Sequence, residues 1–253
     1  MSTTPSTAAF LVIGDEILSG KTKDKNIGVL ADALSMVGVD LKEVRVVSDE
    51  GAAIVEALNA LRARETYVFT SGGIGPTHDD ITADCVAKAF GVGIGIHGEA
   101  HARVSAYYDE RGIEMNAMRE RMTRVPYGAS LIDNPVSIAP GFRLENVHVL
   151  AGVPSVFAAM VEQILPTLEG GAPIAVEMLP FSCGEGDIAQ ELAAIDAQYP
   201  TVAIGSYPKL TNGRFATEIV LRSRDQAALD AAKQAAQKLR TSIDADPAKE
   251  ERA

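Results

Sequence analysis

Long apolar runs are missing from this sequence. No stretch approaches the roughly eighteen consecutive apolar residues that a membrane-spanning helix needs. Met1-Ser2-Thr3-Thr4-Pro5-Ser6 lacks the basic start and separate apolar core of a secretory signal. Cysteine is scarce: Cys85 and Cys183 lie far apart in unrelated contexts, which fits neither a disulfide framework nor a thiolate metal site and predicts a reducing, cytoplasmic setting. Basic residues are outnumbered, with 23 Lys and Arg against 34 Asp and Glu, a net charge of −11. A broad nucleic-acid surface is therefore not expected, because phosphate contacts need concentrated Lys and Arg. A small anionic ligand is still allowed, since backbone amides and a bound cation can reverse the field locally. There is no internal repeat and no low-complexity tract.

What is present is a chain of 253 residues, 47% apolar, long enough to fill one large and one small domain. Residues 8–14, Ala-Ala-Phe-Leu-Val-Ile-Gly, read as a strand covered on both faces. Asp24 is placed to cap a helix carrying Ile27, Leu30, Ala31 and Leu34 at helical spacing, and Gly38 stops it. Residues 39–47 read as a second strand, 52–64 as a helix with Ile54, Val55, Leu58 and Leu61 inward, and 66–70 as a third strand. This alternation predicts a mostly parallel sheet in three layers, with ligands held outside the carboxyl ends of its strands. A mainly helical insertion (82–90, 99–110, 116–122), a turn-rich 139–142, a late strand at 147–150 and a closing helix over 156–168 follow. The Gly-Gly-Ala-Pro stretch at 170–173 marks a boundary, giving domains 1–170 and 171–253. The second reads as β-α-β-β-α, with strands at 174–181, 202–207 and 215–221 and helices at 187–197 and 225–239. Its hairpin turns at Asn212-Gly213, and the chain is expected to fray after Ile243.

The third strand runs into Ser71-Gly72-Gly73-Ile74-Gly75-Pro76-Thr77-His78-Asp79-Asp80. This is neither the dinucleotide pattern nor a Walker loop, yet its glycines let a ligand approach the backbone, and successive amides in such a bend cradle an anion. Asp79 or Asp80 is placed to cap the next helix, whose N-terminal dipole favours phosphate. Carboxylates beside phosphate call for a cation, so Asp80 is a candidate ligand for Mg²⁺ or another divalent ion. Gly14-Asp15-Glu16 and Asp49 follow the first and second strands and meet the same rim. Asp15, Glu16 and Asp49 are candidates for binding a cation, a ligand or water, with turn and cap duty as the alternative. Asn26 is either a ligand hydrogen-bonder or a solvent-facing helix residue. Ser71, Thr77 and Thr82 offer hydroxyls to phosphate or to local caps. His78 is either a ligand contact or an exposed turn residue. His97 and His101 lack a third ligand for zinc and read as surface or helix-terminal residues. His148, in an apolar strand, reads as a structural, hydrogen-bonded residue.

Three segments carry a family resemblance: 13–20 (Ile-Gly-Asp-Glu-Ile-Leu-Ser-Gly), 71–82 (Ser-Gly-Gly-Ile-Gly-Pro-Thr-His-Asp-Asp-Ile-Thr), and Pro140-Gly141-Phe142 with Asn146 and 150–154 (Leu-Ala-Gly-Val-Pro). Together they resemble the molybdopterin-binding domain family, in its competence/damage-inducible protein A branch and the N-terminal region of eukaryotic FAD synthases. Residues 185–189, Tyr199-Pro200 and 204–208 extend the similarity to the FAD-synthase branch. The resemblance implies a small KH-like second domain, a homo-oligomer, and a pterin-phosphate site on Asp15, Glu16, Asp49, Ser71, Gly72, Gly73, Gly75, Thr77 and Asp80. It further implies adenylyl transfer assisted by the acids at 49 and 80, or, in this branch, metal-dependent hydrolysis of ADP-ribose or FAD. Ala151 stands where a Pro is usual, and 155–157 lack the customary acidic residue, which weakens the catalytic assignment more than the fold. No adenylyltransferase or amidase-like domain follows the small domain, so complete FAD synthesis is not expected. The candidate functions are a nucleotide pyrophosphatase using Glu16, Asp49 and Asp80 as metal ligands and catalytic residues, a binding protein for molybdopterin or a related phosphorylated ligand, and an adenylyl-transfer protein of molybdenum-cofactor synthesis.

Overall fold

A computed structural model describes residues 6–211 and 214–245. The chain divides into two compact units, Met1–Gly171 and Ala172–Ala253. The first begins with β1 (Thr7–Ile13), the single turn α1 (Asp15–Leu18), α2 (Asn26–Met36), β2 (Asp40–Val47), α3 (Gly51–Arg62), β3 (Tyr67–Ser71) and α4 (Thr82–Phe90). The insertion holds β4 (Ile94–Ile96), α5 (Gly98–Asp109), α6 (Ala117–Arg121) and β5 (Arg124–Pro126), with β4 and β5 paired antiparallel. Then come β6 (Ser130–Ile132), β7 (Gly141–Leu144), β8 (Val147–Leu150) and α7 (Pro154–Ile164).

The main sheet has the order β2-β1-β3-β8-β7-β6. Its first four strands are parallel, while β7 pairs antiparallel with both β8 and β6, so the sheet is mixed, with β7 alone running against the other five strands. The reason is local. Residues 139–142 were expected to be turn, but Gly141–Leu144 is extended and reverses into β8 through Glu145 at φ 49°, a tight reversal that antiparallel strands permit without a crossover helix.

The near-continuous apolar run of β1 is explained by its two faces. Ala9, Leu11 and Ile13 enter a core closed by Ile54, Leu58 and Leu61 of α3 and Val86 of α4. Ala8, Phe10 and Val12 enter the opposite core with Leu30 and Leu34 of α2 and Phe157 and Met160 of α7. Each fully buried Leu, Ile or Phe contributes about 1.5–3 kcal/mol relative to exposure, so a central strand loaded on both faces anchors three layers. Asp24 accepts the amide of Ile27 at 2.8 Å, as its placement predicts.

Asp79 and Asp80 do not cap α4. Its N-cap is Ile81, without a side-chain hydrogen bond. His97 does cap α5, Nδ1 accepting from the Ala100 amide at 3.4 Å. His148 is buried in β8, a structural residue as expected, with its ring beside the Val68 and Asn146 backbone but outside close hydrogen-bond geometry. Its ring instead stacks on Phe69, with centroids 5.0 Å apart.

The second unit contains β9 (Ala175–Phe181), α8 (Ala189–Gln198), β10 (Ala203–Thr211), β11 (Arg214–Ser223) and α9 (Gln226–Asp244), an antiparallel sheet of order β10-β11-β9. Leu179, Phe181, Ile219 and Leu221 of the sheet pack with Ile188, Leu229, Ala232 and Ala236. The Asn212-Gly213 turn lies outside the described residues, as does the tail beyond 245; α9 runs to Asp244, past its expected end at 239. Among the described residues, no helix is long and apolar enough to cross a membrane.

Candidate functional site

Four parallel strands, β2, β1, β3 and β8, end at one rim. The amide of Gly14 donates to Val47 O at 3.1 Å, joining the end of β1 to that of β2, and the amide of Gly72 donates to Leu150 O at 3.3 Å, joining β3 to β8. These bonds bring together the loops that the sequence separates by dozens of residues.

Two glycines make the close approach possible. Gly72 has φ 99°, and a β-carbon there would lie 2.3 Å from the carbonyl oxygen of Ile13. Gly73 has φ 67°, and a β-carbon there would lie 2.2 Å from Thr82 Oγ1. Both φ values are disfavoured for residues with a side chain, so the loop needs glycine on steric and torsional grounds together. Thr82 secures the bend: its hydroxyl donates to Gly72 O at 2.9 Å and its amide to Gly73 O at 3.0 Å. Thr82 is fully buried beneath the loop, so its hydroxyl supports the turn and does not face a ligand.

Asp80 closes the loop on itself. Its Oδ2 accepts the amide of Thr77 at 2.7 Å and also the Thr77 hydroxyl. The amides of Gly73, Ile74 and Gly75 make no hydrogen bond among the described residues. Beside them opens a cleft of about 510 Å³, lined by Glu16 and Thr22, by Gly72 through Pro76, by Asp80, and by Ala151 through Pro154 and Val156. Glu16, Gly72, Gly73, Gly75 and Asp80 therefore share one cleft.

The other candidate residues sit around it rather than in its lining. Gly14 and Asp15 give their amides to the second loop, Asp15 N to Asp49 Oδ2 at 2.9 Å. Ser71 is buried in β3. Asn26 is 3% exposed, so it is not a solvent-facing residue. Its Nδ2 donates to Gly152 O at 2.9 Å, while Oδ1 is buried without a partner. Thr77 is committed to Asp80. His78 and Asp79 project outward, with side chains 95% and 59% exposed and 3.9 Å apart.

The electrostatics are acidic. Burial pushes the Asp49 carboxyl above its usual range, the Asp15 amide opposes this, and the charges of Asp15, Glu16 and Asp79 add to the rise. Among the described residues, no three His, Cys, Asp or Glu side chains form a group able to hold a metal ion. That holds for the expected set of Glu16, Asp49 and Asp80, in which Asp80 Oδ2 is turned onto Thr77 and Asp49 Oδ2 onto the Asp15 amide.

Sequence reasoning missed several contributors. Arg121 of α6 donates from Nη2 (2.9 Å) and Nε (3.3 Å) to the carbonyl of Asp80, bracing the loop from the insertion. Asp84 in the first turn of α4 is held by Arg124 through two hydrogen bonds of 3.1 and 2.7 Å. Asn134 and Ser137 also line the cleft. Asn134 Oδ1 accepts the amides of Val136 and Ser137, and Nδ2 donates to Ala139 O at 2.8 Å, while Ile138 is held at φ 66°. A β-branched residue at positive φ is a true backbone outlier, and this one stands in a segment lining the cleft. The Asn134-Pro135 pair was the available signal for this turn. Nothing in the local sequence signals Arg121, whose partner is a carbonyl forty-one positions away.

This is a three-layer α/β unit whose glycine-built loop stands at the carboxyl rim of its parallel strands, the place where open α/β sheets hold ligands. Residues 9–170 match the family described as "Probable molybdopterin binding domain", and residues 173–246 match "FAD synthase, middle domain". The chain belongs to the molybdopterin-binding domain family. It is 33% identical to a "Probable FAD synthase" of Caenorhabditis briggsae over 92% of this chain and 49% of that protein, so it spans about half the length of that relative. A protein of Aeropyrum pernix is 34% identical over 80% of this chain and 79% of its own. Among solved structures, the protein CinA of Thermoplasma acidophilum, titled as of unknown function, superposes with a TM-score of 0.60 and 29% identity, covering 64% of this chain and 97% of that one.

Proposed function

We propose that the larger unit binds molybdopterin or a related phosphorylated ligand in the cleft at the strand rim, without turning it over. The observation that carries this reading is the run of unpartnered amides at Gly73, Ile74 and Gly75 opening into a cleft of about 510 Å³. Amides of this kind receive phosphate oxygens without a counter-ion, and the N-terminus of α4 adds its dipole. Ile74, Val153 and Val156 supply apolar surface for a ring system. Membership of the molybdopterin-binding family supports the pterin as the ring.

Metal-dependent hydrolysis of ADP-ribose or FAD, or adenylyl transfer, would need Glu16, Asp49 and Asp80 to gather on a divalent cation. Asp49 and Asp80 each spend one carboxylate oxygen on a hydrogen bond within the rim loops, which supports the binding reading over these two. A homo-oligomer in the cytoplasm and a KH-like small unit that does not bind nucleic acid complete the proposal.

The deciding experiment incubates wild type and Asp80→Ala with molybdopterin, ADP-ribose and FAD, each with and without Mg²⁺, Mn²⁺ or Co²⁺, and follows both binding and products. Metal-independent molybdopterin binding without products is expected. Cleavage of ADP-ribose or FAD to AMP by wild type, lost in Asp80→Ala, would replace the binding reading with the pyrophosphatase.

A further inference from the structure

Strand β2 ends the main sheet, and among the described residues no strand pairs with its outer side. None of its residues is buried, and Val44 and Val46 are each 36% exposed. The carbonyl of Val47 receives the Gly14 amide at 3.1 Å, so the peptide groups of Val47 turn towards β1. Alternate residues of a strand bond to the same side. Glu43 and Arg45 therefore turn inward as well, and the N–H and C=O groups of Val44 and Val46 face the open edge. Among the described residues these outward groups meet no backbone partner beyond the sheet.

An open edge is a template for another strand, and natural edges are blunted by a bulge, a lysine or a cover. The first two devices coincide at Lys42: Ala8 lies opposite Leu41 and Ala9 opposite Glu43, which leaves Lys42 as the bulged residue. The rest of the strand, residues 43–47, pairs regularly with β1 and carries no such protection. Val44 and Val46 lie opposite Phe10 and Val12, on the face of α2 and α7. Glu43 and Arg45 lie opposite Ala9 and Leu11, on the face of α3 and α4. There Glu43 takes Arg45 at 2.5 Å and Arg64 at 2.6 Å.

The charges select one way for this edge to meet a copy of itself. Two identical strands pair antiparallel about a two-fold axis, and opposed residues must share a face, so the axis passes through one residue. An axis through Lys42, Glu43 or Arg45 sets a charge against its own copy, which is destabilising. An axis through Val46 carries the pairing past the strand's end at Val47. An axis through Val44 sets valine against valine and, on either side, Glu43 against Arg45 of the second copy. It also brings the outward peptide groups of the two strands face to face.

We propose that the β2 edge binds a second copy of this chain, antiparallel and centred on Val44, so that the main sheet continues across a two-fold axis. This edge is then the interface of the homo-oligomer proposed above, on which the inference rests, and the pairing needs no ligand in the rim cleft.

The test is sedimentation velocity of the full chain from about 1 to about 100 μM, a range suited to a modest interface. Wild type should form a dimer or an even-numbered assembly. Val44→Lys sets lysine against lysine at the axis and should weaken association at least about tenfold. Glu43→Arg and Arg45→Glu should each do the same, because the two-fold doubles every repulsion, and the double variant should recover association to within about threefold. Thermal melts verify that each variant is folded; Val44→Lys changes an exposed position and keeps the test decisive if a charge swap is not. A wild type that stays monomeric would overturn both this interface and the homo-oligomer. A trimer, or an assembly indifferent to Val44→Lys, would keep the homo-oligomer and overturn the β2 interface alone. Folded double variants that fail to recover association would overturn it as well.

Discussion

The carboxylate of Asp49 accepts the amide of Asp15 at 2.9 Å, tying the loop after the second strand to the loop after the first. The bond holds the rim together at an electrostatic cost, because it draws Asp49 towards Asp15 and Glu16. Its folded-state pKa is raised, mainly by burial. The native state therefore holds this proton more tightly than the unfolded chain, and stability falls as pH rises from the ordinary carboxylate range through the raised value. Asp49→Asn keeps an acceptor for the Asp15 amide and removes the charge. Near neutral pH the variant should be at least as stable as wild type, and its advantage should shrink towards acid. Thermal unfolding of both across that range checks the sign.

Gly72 and Gly73 should tolerate no side chain. Gly73→Ala must adopt a positive φ and displace Thr82 from beneath the loop, so a loss of about 1–3 kcal/mol is expected. Urea unfolding measures it. Gly72→Ala, which meets the rigid Ile13 carbonyl, should lose at least as much.

Arg121 offers a way to loosen the loop without touching it. Arg121→Ala removes both donors to the Asp80 carbonyl from a helix of the insertion. Molybdopterin affinity, read by isothermal titration, should fall about three- to tenfold, equivalent to one modest hydrogen bond. Arg121→Lys, with a single point donor, should recover only part of it.

His148 makes the protein acid-sensitive in a defined window. Its folded-state pKa is lowered from 6.5 to about 4, chiefly by burial and then by Arg143. The unfolded state binds the proton more readily, so stability is complete above 6.5 and is lost as pH falls towards 4, by up to about 3 kcal/mol. His148→Leu should flatten that part of the stability curve. Denaturant titrations of both proteins at several pH values decide it.

The legible parts of this molecule were those with strong local causes. Continuous burial on both faces marked β1, helical spacing marked α2 and α3, and the glycine run marked the loop. Gly141–Leu144 escaped notice because Ala139-Pro140-Gly141 carries turn composition, while pairing with Val147–Val149 and packing of Phe142 into the core make the segment a strand. Asp79 and Asp80 looked like helix caps because acids before a helix usually are. The loop's own curvature instead placed Asp80 against the Thr77 amide.

The layered α/β class, the rim on which the loops meet and the glycine-rich character of the third loop could be read from the sequence alone, since periodicity and composition are local properties. Where the charges point was settled by packing in three dimensions. It turned Asp49 onto Asp15, Asp80 onto Thr77 and Arg121 onto a distant carbonyl, and it buried His148 beside the Val68 and Asn146 backbone. The Asp49–Asp15 and Arg121–Asp80 pairs depend on which elements pack side by side, thirty-four and forty-one positions apart, and even the local Asp80–Thr77 bond depends on how the loop curves.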